Sequence, residues 1–526
     1  MFAATSGWHP PATPIHGLRG YRMTRTPRVL LTATLALATA GAVATVTTQA
    51  LAAPPPTFNV RDFGARGNGT AVDSPAFDRA ISAASPVGGI VVVPSGTYLS
   101  RTIHLKSNMT LRLDAGATIV AAGSGLDRPE PNPFSRFQDF GHSHFTNALL
   151  YGDRIDHLTI TGSGTIDGVG LVTGDDPGAG VGDKTLSLTR CSNLVVRGVT
   201  FRRGGHFAAI LNGCHDVLFD GVNVQTGNDR DGLNIINTWN VEVTNSTVVS
   251  SDDAVVFKSD FALGQTFPST NIWVHDSRIG SMENNALQFG SETCGDFRDA
   301  RFERVTVTGA GKAGLGIVSM DGATIENVSY RDITLTRTTI PVFLKIGSRG
   351  RCPGKPPAGH IRNIAFSNVT GTNLRTPRDV AGDDEYSSTL TGAPGGPRVE
   401  NVTFTGVKLT VPGGHPASDA NRNPPEKPTT FPPRDYGPRP AYGFWMRHVQ
   451  GIRFVDCTVQ FDRNDGRPAF LADDGAAVSL SGVTVERGSG SPYDVGFRRI
   501  TGYAVTGGGT TGGAALRVRA TASTPL

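Results

Sequence analysis

The sequence predicts an all-β protein that folds as a right-handed parallel β-helix, a solenoid of about ten coils. Two observations support this prediction: a composition suited to short strands and tight turns, and a short segment that recurs at intervals of one coil. Of the 526 residues, 66 are glycine and only 7% are aromatic. Long stretches rich in Leu, Glu and Lys, which are typical of helical domains, do not occur in the sequence.

The repeated segment begins with a turn residue, alternates apolar and polar side chains, turns again at Asn, Asp or Gly, and resumes with Val or Ile. Alternation places the apolar side chains inward, and stacked coils complete each other's backbone hydrogen bonds. The hairpins of a β-sandwich, which recur about every 8–12 residues, fit this pattern less well. Successive starts lie 23 to 50 residues apart, at Asn193, Asp216, Asn240, Asn271, Asp299, Asn327, Asn363, Asn401 and Gly451.

We expect three parts along the chain. Residues 1–52 are interpreted as a leader and secretory signal peptide, because positive charge precedes an apolar run over 29–46 and a small-x-small cleavage site over 50–52. A transmembrane anchor is the alternative for the same run. Residues 53–490 are predicted to form the β-helix catalytic domain, and 491–526 a Gly/Thr-rich end that finishes in a loose tail. We therefore expect a secreted protein without a membrane partner after signal cleavage.

The charge balance gives little support to a nucleic-acid partner. The chain has 49 Lys and Arg residues against 45 Asp and Glu residues, and loss of residues 1–52 removes four arginines and no acid, which makes the two counts equal. We expect the protein to be a monomer and to have no nucleic-acid partner. None of the five cysteines forms a C-x-x-C pair. Cys294 and Cys352 follow strand segments on nearby coils, so we expect a disulfide between them in an oxidising compartment.

Three insertions interrupt the repeat, at 122–145, 168–186 and 411–441. They are rich in Gly, Pro or Asp, and the third is the Pro-rich stretch VPGGHPASDANRNPPEKPTTFPPRDYGPRP. Long insertions on a rigid scaffold commonly wall a groove. We therefore expect a substrate groove on the side of the solenoid where these insertions emerge.

Acidic residues concentrate on consecutive coils. Asp231 and Asp252 are 21 residues apart, close to one coil, so we expect them to be neighbours on one face. A regular strand would send Asp252 and Asp253 to opposite faces, so an irregular backbone is needed for both to face the groove. Hydrolysis of a glycosidic bond needs one protonated carboxyl and one ionised carboxylate. A calcium site is an alternative use of clustered acids. Other acids are interpreted as structural turn residues: Asp216, Asp276 and Asp332.

At these carboxylates the sequence resembles glycoside hydrolase family 28, the polygalacturonase family. The resemblance covers roughly residues 57–485 and includes FNVRDFGARGNGTAVDSPAFDRAI, GGIVVVPSGTYL and HLTITGSGTIDGVG. The family's Asn-Thr-Asp-Gly motif matches residues 229–232, DRDG, with only Asp-Gly kept. Its Gly-Asp-Asp motif matches residues 251–253, SDD, and is followed by an apolar run and Lys258.

The resemblance implies a glycoside hydrolase that cleaves a pectin-like, galacturonate-containing polysaccharide of the plant cell wall without a cofactor or metal. By position, Asp252 would be the general acid, and Asp231 with Asp253 would activate water. The products would form with inversion, which suits carboxyl groups separated by a water molecule.

The sequence departs from the family pattern where the substrate is held. Asn285 occupies the position of the family's catalytic-site histidine, and Gly316 and Val318 occupy those of two basic residues that grip a galacturonate carboxylate. We therefore expect other residues to bind the substrate. The candidates are Asn285, Lys258, and three basic residues of FLKIGSRGRC: Lys345, Arg349 and Arg351.

Two other function classes remain open. A β-helix polysaccharide lyase or epimerase would need calcium and a basic residue that abstracts the C5 proton, and would be revealed by an unsaturated product that absorbs ultraviolet light. A non-catalytic carbohydrate-binding β-helix would need no acidic trio. The loss of basic residues and the Asp252-Asp253 motif argue against the lyase or epimerase, and Asp231, Asp252 and Asp253 together argue against the binding module.

Overall fold

The computed structural model describes residues 54–137, 140–172, 182–227, 230–377 and 386–526. The predicted leader and signal peptide, residues 1–52, and Asp229 lie outside the described residues. A single compact unit spans Pro54–Leu526.

The described chain is a succession of short strands, one α-helix and a few single 3₁₀ turns. The amino-terminal strands are β1 Thr57–Asn59, β2 Asn68–Val72, β3 Ile90–Val93, β4 Gly96–Ser100, β5 Ile103–His104, β6 Met109–Leu113, β7 Ala117–Ala121, β8 Ala148–Asp153, β9 Asp156–Gly162, β10 Thr165–Asp167, β11 Lys184–Thr189, β12 Ser192–Arg197 and β13 Thr200–Arg202. The central strands are β14 Phe207–Asn212, β15 His215–Asp220, β16 Asn223–Gln225, β17 Asp231–Ile236, β18 Trp239–Thr244, β19 Thr247–Ser250, β20 Val255–Ser259, β21 Ser269–Ser281, β22 Leu287–Thr293, β23 Phe297–Val307, β24 Ala310–Ser319, β25 Thr324–Leu335 and β26 Thr338–Ile346. The carboxy-terminal strands are β27 His360–Gly371, β28 Ser388–Thr391, β29 Val399–Thr405, β30 Lys408–Gly413, β31 Phe444–Val455, β32 Thr458–Arg463, β33 Phe470–Ser481, β34 Thr484–Val485, β35 Val495–Thr506, β36 Gly509–Thr510, β37 Val518–Thr521 and β38 Thr524–Pro525. The helix is α1 Ser74–Ala84, and the 3₁₀ turns are Val60–Phe63, Ser85–Val87, Ser135–Phe137, Phe140–His142, Ala417–Asn421 and Pro433–Tyr436.

The strands pair in parallel, each with the equivalent strand of the next coil, and this confirms the predicted parallel β-helix. Val217 pairs with Val241, which pairs with Ile272, then Ala300 and Val328. All five side chains are buried, because alternation along each strand directs them into the solenoid. One apolar core therefore runs along the inside of the coils.

Aromatic side chains stack on one another inside the core. Phe302, Tyr330, Phe366, Phe404 and Phe454 occupy successive coils, with ring centroids 4.6 to 4.9 Å apart and ring planes nearly parallel. This spacing is about that of neighbouring strands in a sheet. Equivalent positions in the repeat therefore fall directly above one another, so that residues one coil apart in sequence become contacts.

A ladder of Asn and Asp residues marks the predicted turns. Asp216, Asp276 and Asp332 have φ of 55°, 49° and 56°, in the left-handed region that Asn and Asp tolerate better than other side chains. Neighbouring turn side chains hydrogen-bond from coil to coil, as where Asn240 Nδ2 donates to Asp216 Oδ1 at 2.8 Å. The interpretation of these acids as turn residues is confirmed.

The two ends of the solenoid differ. Helix α1 covers the amino-terminal end, where Phe77 is fully buried and meets Tyr98 edge to face, with ring centroids 5.7 Å apart. At the other end, β35 continues the ladder in register with β33, and β37 and β38 pair with β35. The solenoid therefore continues past residue 490, and the expected loose tail is instead paired chain. Among the described residues, we find no helix with the length and apolar character to cross a membrane.

Cys294 and Cys352 form the predicted disulfide, with their Cα atoms 5.7 Å apart. It joins the end of β22 to the loop after β26. The thiols of Cys191, Cys214 and Cys457 are buried.

Candidate active site

The predicted acidic trio lies in a cleft of about 420 Å³ on the outside of the solenoid. The cleft is formed where β17, β20, β22 and β24 begin on successive coils. Two of the predicted insertions contribute to its wall, through His142 and Phe431. A larger groove, of about 750 Å³, follows another face of the solenoid beside the Asn/Asp ladder. We place the candidate site in the smaller cleft because the buried carboxylates lie there.

The backbone brings the three carboxylates together through the coil spacing. Asp231 is the first residue of β17, and Asp252 and Asp253 lie in the irregular segment between β19 and β20. The amide of Asp252 donates to the carbonyl oxygen of Arg230 at 3.3 Å, and the amide of Gly232 donates to that of Asp253 at 2.8 Å. The expectation that an irregular backbone would direct both adjacent acids to the groove is confirmed, since all three acids line the cleft.

Lys258 lies at the centre of the acidic cluster. Its Nζ is 3.7 Å from Asp231 Oδ2, 3.9 Å from Asp253 Oδ2 and 3.4 Å from Glu292 Oε2. The lysine side chain is only 6% exposed. One ammonium group therefore compensates three buried carboxyl groups, and it is too enclosed to be an open substrate contact.

Asp252 occupies a different environment from the other two aspartates. Its side chain is 20% exposed, compared with 5% for Asp231 and 11% for Asp253. Arg230 lies 3.2 Å from Asp252 Oδ2, and Asn284 Nδ2 donates to Asp252 Oδ1 at 2.5 Å. The backbone amide of Asp253 also donates to Asp252 Oδ1, at 2.8 Å, so Asp252 faces the open cleft held by one cation and two amides.

Amide side chains orient the two inner aspartates. Asn234 Nδ2 donates to Asp231 Oδ2 at 2.8 Å. Asn285 donates to Asp253 Oδ1 from both its Nδ2, at 2.8 Å, and its backbone amide, at 3.1 Å. The predicted substrate-binding residue Asn285 therefore donates to Asp253, and its Oδ1 accepts from the amide of Ala313 at 3.2 Å. Its contacts orient a carboxyl group of the site.

Burial alters the acidity of the inner pair. Burial raises the pKa of Asp231 well above its usual range, and the nearby charge of Asp252 adds to this effect. Burial and Asp252 also raise the pKa of Asp253, against the opposing effects of Lys258 and of the hydrogen bond from Asn285. A carboxyl pair whose proton affinity is increased in this way can accept a proton more readily than an exposed aspartate.

Two histidines in the cleft were not identified from the sequence. Burial and the Lys258 ammonium hold the pKa of His142 well below its usual range, so its neutral ring accepts from Lys258 Nζ at Nε2, 3.1 Å away. His206 is 6% exposed and immediately precedes β14, and its carbonyl oxygen accepts from the amide of Asp231 at 3.3 Å. The coil spacing that links Asp231 to Asp252 also links His206 to Asp231, and that signal could have found it.

The structure corrects the expected role of Lys345. Its side chain is 1% exposed and donates to the hydroxyl of Tyr436 at 2.5 Å, beneath the Pro-rich insertion and outside the cleft lining. Burial lowers the pKa of Lys345 to about 8. The Pro433–Tyr436 turn covers this lysine, which a sequence-based reading of β26 alone could not foresee.

Arg349 and Arg351 lie behind the cleft wall. Arg349 forms two hydrogen bonds to the carboxylate of Asp321 and donates from Nη2 to the carbonyl oxygen of Ser291 at 2.9 Å. Arg351 Nη1 is 3.4 Å from Glu292 Oε1. Both arginines therefore support Ser291 and Glu292, which line the cleft, rather than lining it themselves.

No group of three or more His, Cys, Asp or Glu side chains within the described residues has the arrangement of a metal site. In the cleft the reason is clear from the geometry. The ammonium of Lys258 fills the position between Asp231, Asp253 and Glu292 that a cation would otherwise take.

Comparison with known proteins agrees with this fold. The family model of Glycosyl hydrolases family 28 matches residues 87–428. A polygalacturonase from Malus domestica is 27% identical over 397 residues, which are 70% of this chain and 80% of that protein. The solved family 28 exopolygalacturonase of Yersinia enterocolitica shares the fold with a TM-score of 0.58 at 20% identity, over 86% of this chain and 78% of that one. The polygalacturonase of Erwinia carotovora does so with a TM-score of 0.53 at 18% identity, over 69% and 96%. Because the family model spans more than half of the chain, the protein belongs to glycosyl hydrolase family 28.

Proposed function

We propose that this protein hydrolyses glycosidic bonds in a pectin-like, galacturonate-containing polysaccharide with inversion of configuration. The observation that supports this most is the division of three carboxyl groups in one cleft into two environments. Asp231 and Asp253 are buried around Lys258, whereas Asp252 faces the open cleft between Arg230 and Asn284. An inverting hydrolase needs one carboxyl group that donates a proton and another that activates water, and the open acid and the buried pair can take these two roles.

In the proposed reaction Asp252 donates its proton to the glycosidic oxygen as the bond from that oxygen to the anomeric carbon breaks. A water molecule held by Asp231 and Asp253 attacks the anomeric carbon from the other side, and its proton passes to the pair. Lys258 stabilises the pair while one of its members is ionised. Asn234 and Asn285 fix the orientation of the two carboxyl groups that hold the water.

The substrate class is inferred from relatives and from charge. The Malus domestica relative is named a polygalacturonase, at 27% identity. The cleft lining also includes a lysine outside the acidic cluster, Lys312, and a cation is what a site for an anionic sugar requires. We therefore favour a galacturonate polymer of the plant cell wall as the substrate.

A calcium-dependent lyase or epimerase fits the cleft less well. Such an enzyme needs a hard cation between carboxylates and a base at the C5 proton. Here Lys258 already occupies the position between the carboxylates. The third class, a non-catalytic carbohydrate-binding β-helix, gives no reason to bury Asp231 and Asp253, because each buried carboxyl costs folding free energy.

The test is a screen of dissected pectic polysaccharides for release of reducing ends, with the product sugars identified. We expect hydrolysis of galacturonate-containing polymers by the wild-type protein and none by Asp252→Asn. Asp332→Asn, at a turn on another face, is the matched control and should remain active. Release of an ultraviolet-absorbing unsaturated product would show a lyase. Binding of the polymers without any cleavage would show a binding module.

We also propose that the protein is secreted and acts as a monomer. The apolar run over 29–46 and the small-x-small site over 50–52 support export. Amino-terminal sequencing of protein recovered from the medium should begin near Ala53, and retention of the first segment would contradict the proposal. Light scattering of the purified protein should give the mass of one chain.

A further inference from the structure

The two positions at which polygalacturonases would place basic residues are closed by neighbours in this protein. Both lie on β24. A Cβ atom on Gly316 would lie 2.8 Å from Gln288 Oε1, so the Gln288 side chain occupies that space. Val318 is 1% exposed and packs with Met320 and Tyr436 in a small apolar cluster. A substrate carboxylate therefore cannot be held at these two positions, and another part of the cleft has to hold it.

The same strand does carry a basic residue, Lys312, at a different position, six residues before Val318. The amide of Lys312 donates to the carbonyl oxygen of Asn284 at 2.9 Å, and Asn284 in turn donates to Asp252. Lys312 is thus two coils from Asp252 along the cleft, or about 10 Å at the usual strand spacing. Its side chain is half-buried and lines the cleft. Lys312 therefore lies along the cleft from Asp252 rather than beside it.

Lys312 differs from the other basic residues around the cleft. Lys258 is enclosed by three acids, Arg230 lies beside Asp252, and Arg349 is bonded to Asp321. Within the described part of the chain, no carboxylate oxygen lies within 4 Å of Lys312 Nζ. Its Nζ lies 5.9 Å from the centroid of the Phe431 ring, and its charge acts on Asp253, whose pKa it lowers slightly against the effect of burial. Lys312 therefore presents to the cleft a positive charge that is not engaged in a close ion pair, next to the aromatic side chain of Phe431.

The acids of the cleft make such a charge necessary for an anionic substrate. Asp231, Asp252, Asp253 and Glu292 would repel a polymer of uronate units unless a cation compensates the substrate carboxylate. We propose that Lys312 binds the carboxylate of a uronate unit and so makes the cleft select uronate over methyl-esterified uronate. The inference rests on the proposed function, since it takes a galacturonate polymer as the substrate.

Calorimetry with the inactive Asp252→Asn protein tests this binding without hydrolysis. Trigalacturonate and its methyl ester are titrated into Asp252→Asn alone and into Asp252→Asn combined with Lys312→Met or Lys312→Arg. We expect Asp252→Asn to bind the acid more tightly than the ester. Lys312→Met should weaken binding of the acid by about ten- to a hundredfold, as for loss of one charged hydrogen bond, and leave binding of the ester unchanged. Lys312→Arg should restore part of the preference.

Lys408→Met, at an exposed position on β30, is the matched control and should bind as its parent does. Equal binding of acid and ester, equal weakening of both by Lys312→Met, or no binding of either would overturn the inference. The proposed function is judged separately, from hydrolysis of the polymer by the wild-type protein. If the polymer is cleaved but Lys312→Met binds normally, only the Lys312 inference fails. If the acid binds through Lys312 but no bond is cleaved, only the proposed function fails.

Discussion

The turns and the cleft of this solenoid both contain aspartates, but the two environments have opposite effects on the stability of the ionised carboxylate. Next to the turn residue Asn193, hydrogen bonds from Asn193 and Ser192 lower the pKa of Asp156 to about 2, and in the turn ladder the Arg304 guanidinium holds the pKa of Asp276 below its usual range. In the cleft, burial raises the pKa of Asp231 and of Asp253. The same repeat therefore stabilises aspartate charge at its turns and destabilises it in one cleft. The second arrangement costs stability, which points to a role in chemistry.

The largest expected effect is on turnover. Asp252→Asn should reduce the rate of hydrolysis about 10²–10⁴-fold, because an amide cannot supply the proton to the leaving oxygen. The measurement is kcat on the substrate found in the polysaccharide screen, with circular dichroism to verify the fold. If Asp252→Asn keeps more than a tenth of wild-type turnover, Asp252 is not the general acid.

A large effect on stability is expected behind the cleft wall. Arg349 and Asp321 form a buried ion pair, with side chains 11% and 1% exposed. Arg349→Ala should therefore lower the free energy of unfolding by about 3–5 kcal/mol, because it leaves the Asp321 carboxylate buried and unpaired. Denaturant unfolding measures this loss. The control is Arg331→Ala, at a 55% exposed surface pair with Glu303, which should change stability by less than about 1 kcal/mol. Equal stability of the two variants would contradict the role of Arg349 as internal support.

The contrast between the two regions predicts opposite pH dependence. The folded-state pKa of Asp231 is raised, so between the ordinary aspartate pKa and that higher value the native state binds the extra proton. Wild-type stability should therefore fall as the pH rises through this interval. Asp231→Asn removes this loss. We expect its melting temperature to match that of the wild type near pH 4 and to exceed it increasingly toward neutral pH. The corresponding gain in the free energy of unfolding is about 1.4 kcal/mol for each unit by which the pKa of Asp231 is raised. A difference that stays constant with pH would show that Asp231 is not destabilised by its own charge.

The smallest effect is expected at the turn ladder. Asp276 is 40% exposed and pairs with Arg304. Asp276→Asn should lower stability by less than about 1 kcal/mol, because exposed ion pairs contribute little, and should leave turnover unchanged. Differential scanning calorimetry and the hydrolysis assay test both parts. A loss of activity in Asp276→Asn would mean that the ladder acids take part in catalysis after all.

Features that depend on the period of the repeat could be predicted from the sequence. The coil spacing gave the parallel β-helix, the turn positions of Asp216 and Asp276, and the grouping of Asp231 with Asp252 and Asp253. The features that it missed depend on segments distant in the chain. Lys345 is covered by Tyr436, 91 residues later, and Lys312 is bordered by Phe431 from the same insertion. An irregular insertion has no repeat, so its sequence does not predict where it packs on the solenoid.

Which charged side chain of the cleft is free to bind substrate depends on how the charges are paired in three dimensions. Lys258 was expected to contact the substrate because it matches the lysine that follows the Asp-Asp motif in the family resemblance. The structure instead surrounds it with Asp231, Asp253 and Glu292. Glu292 lies 34 residues from Lys258 and reaches it only through the stacking of β22 on β20. A spacing in sequence can therefore predict that charged groups meet, but not which of them is left to bind a ligand.

We propose that one open acid and a buried carboxyl pair hydrolyse the substrate with inversion. Proton NMR of the first products released from an α-linked galacturonate oligomer tests it most directly, because the anomer is read before it equilibrates in solution. We expect the β-anomer to appear first with the wild-type protein and no product to appear with Asp252→Asn. First appearance of the α-anomer, or of an unsaturated product, would contradict the account.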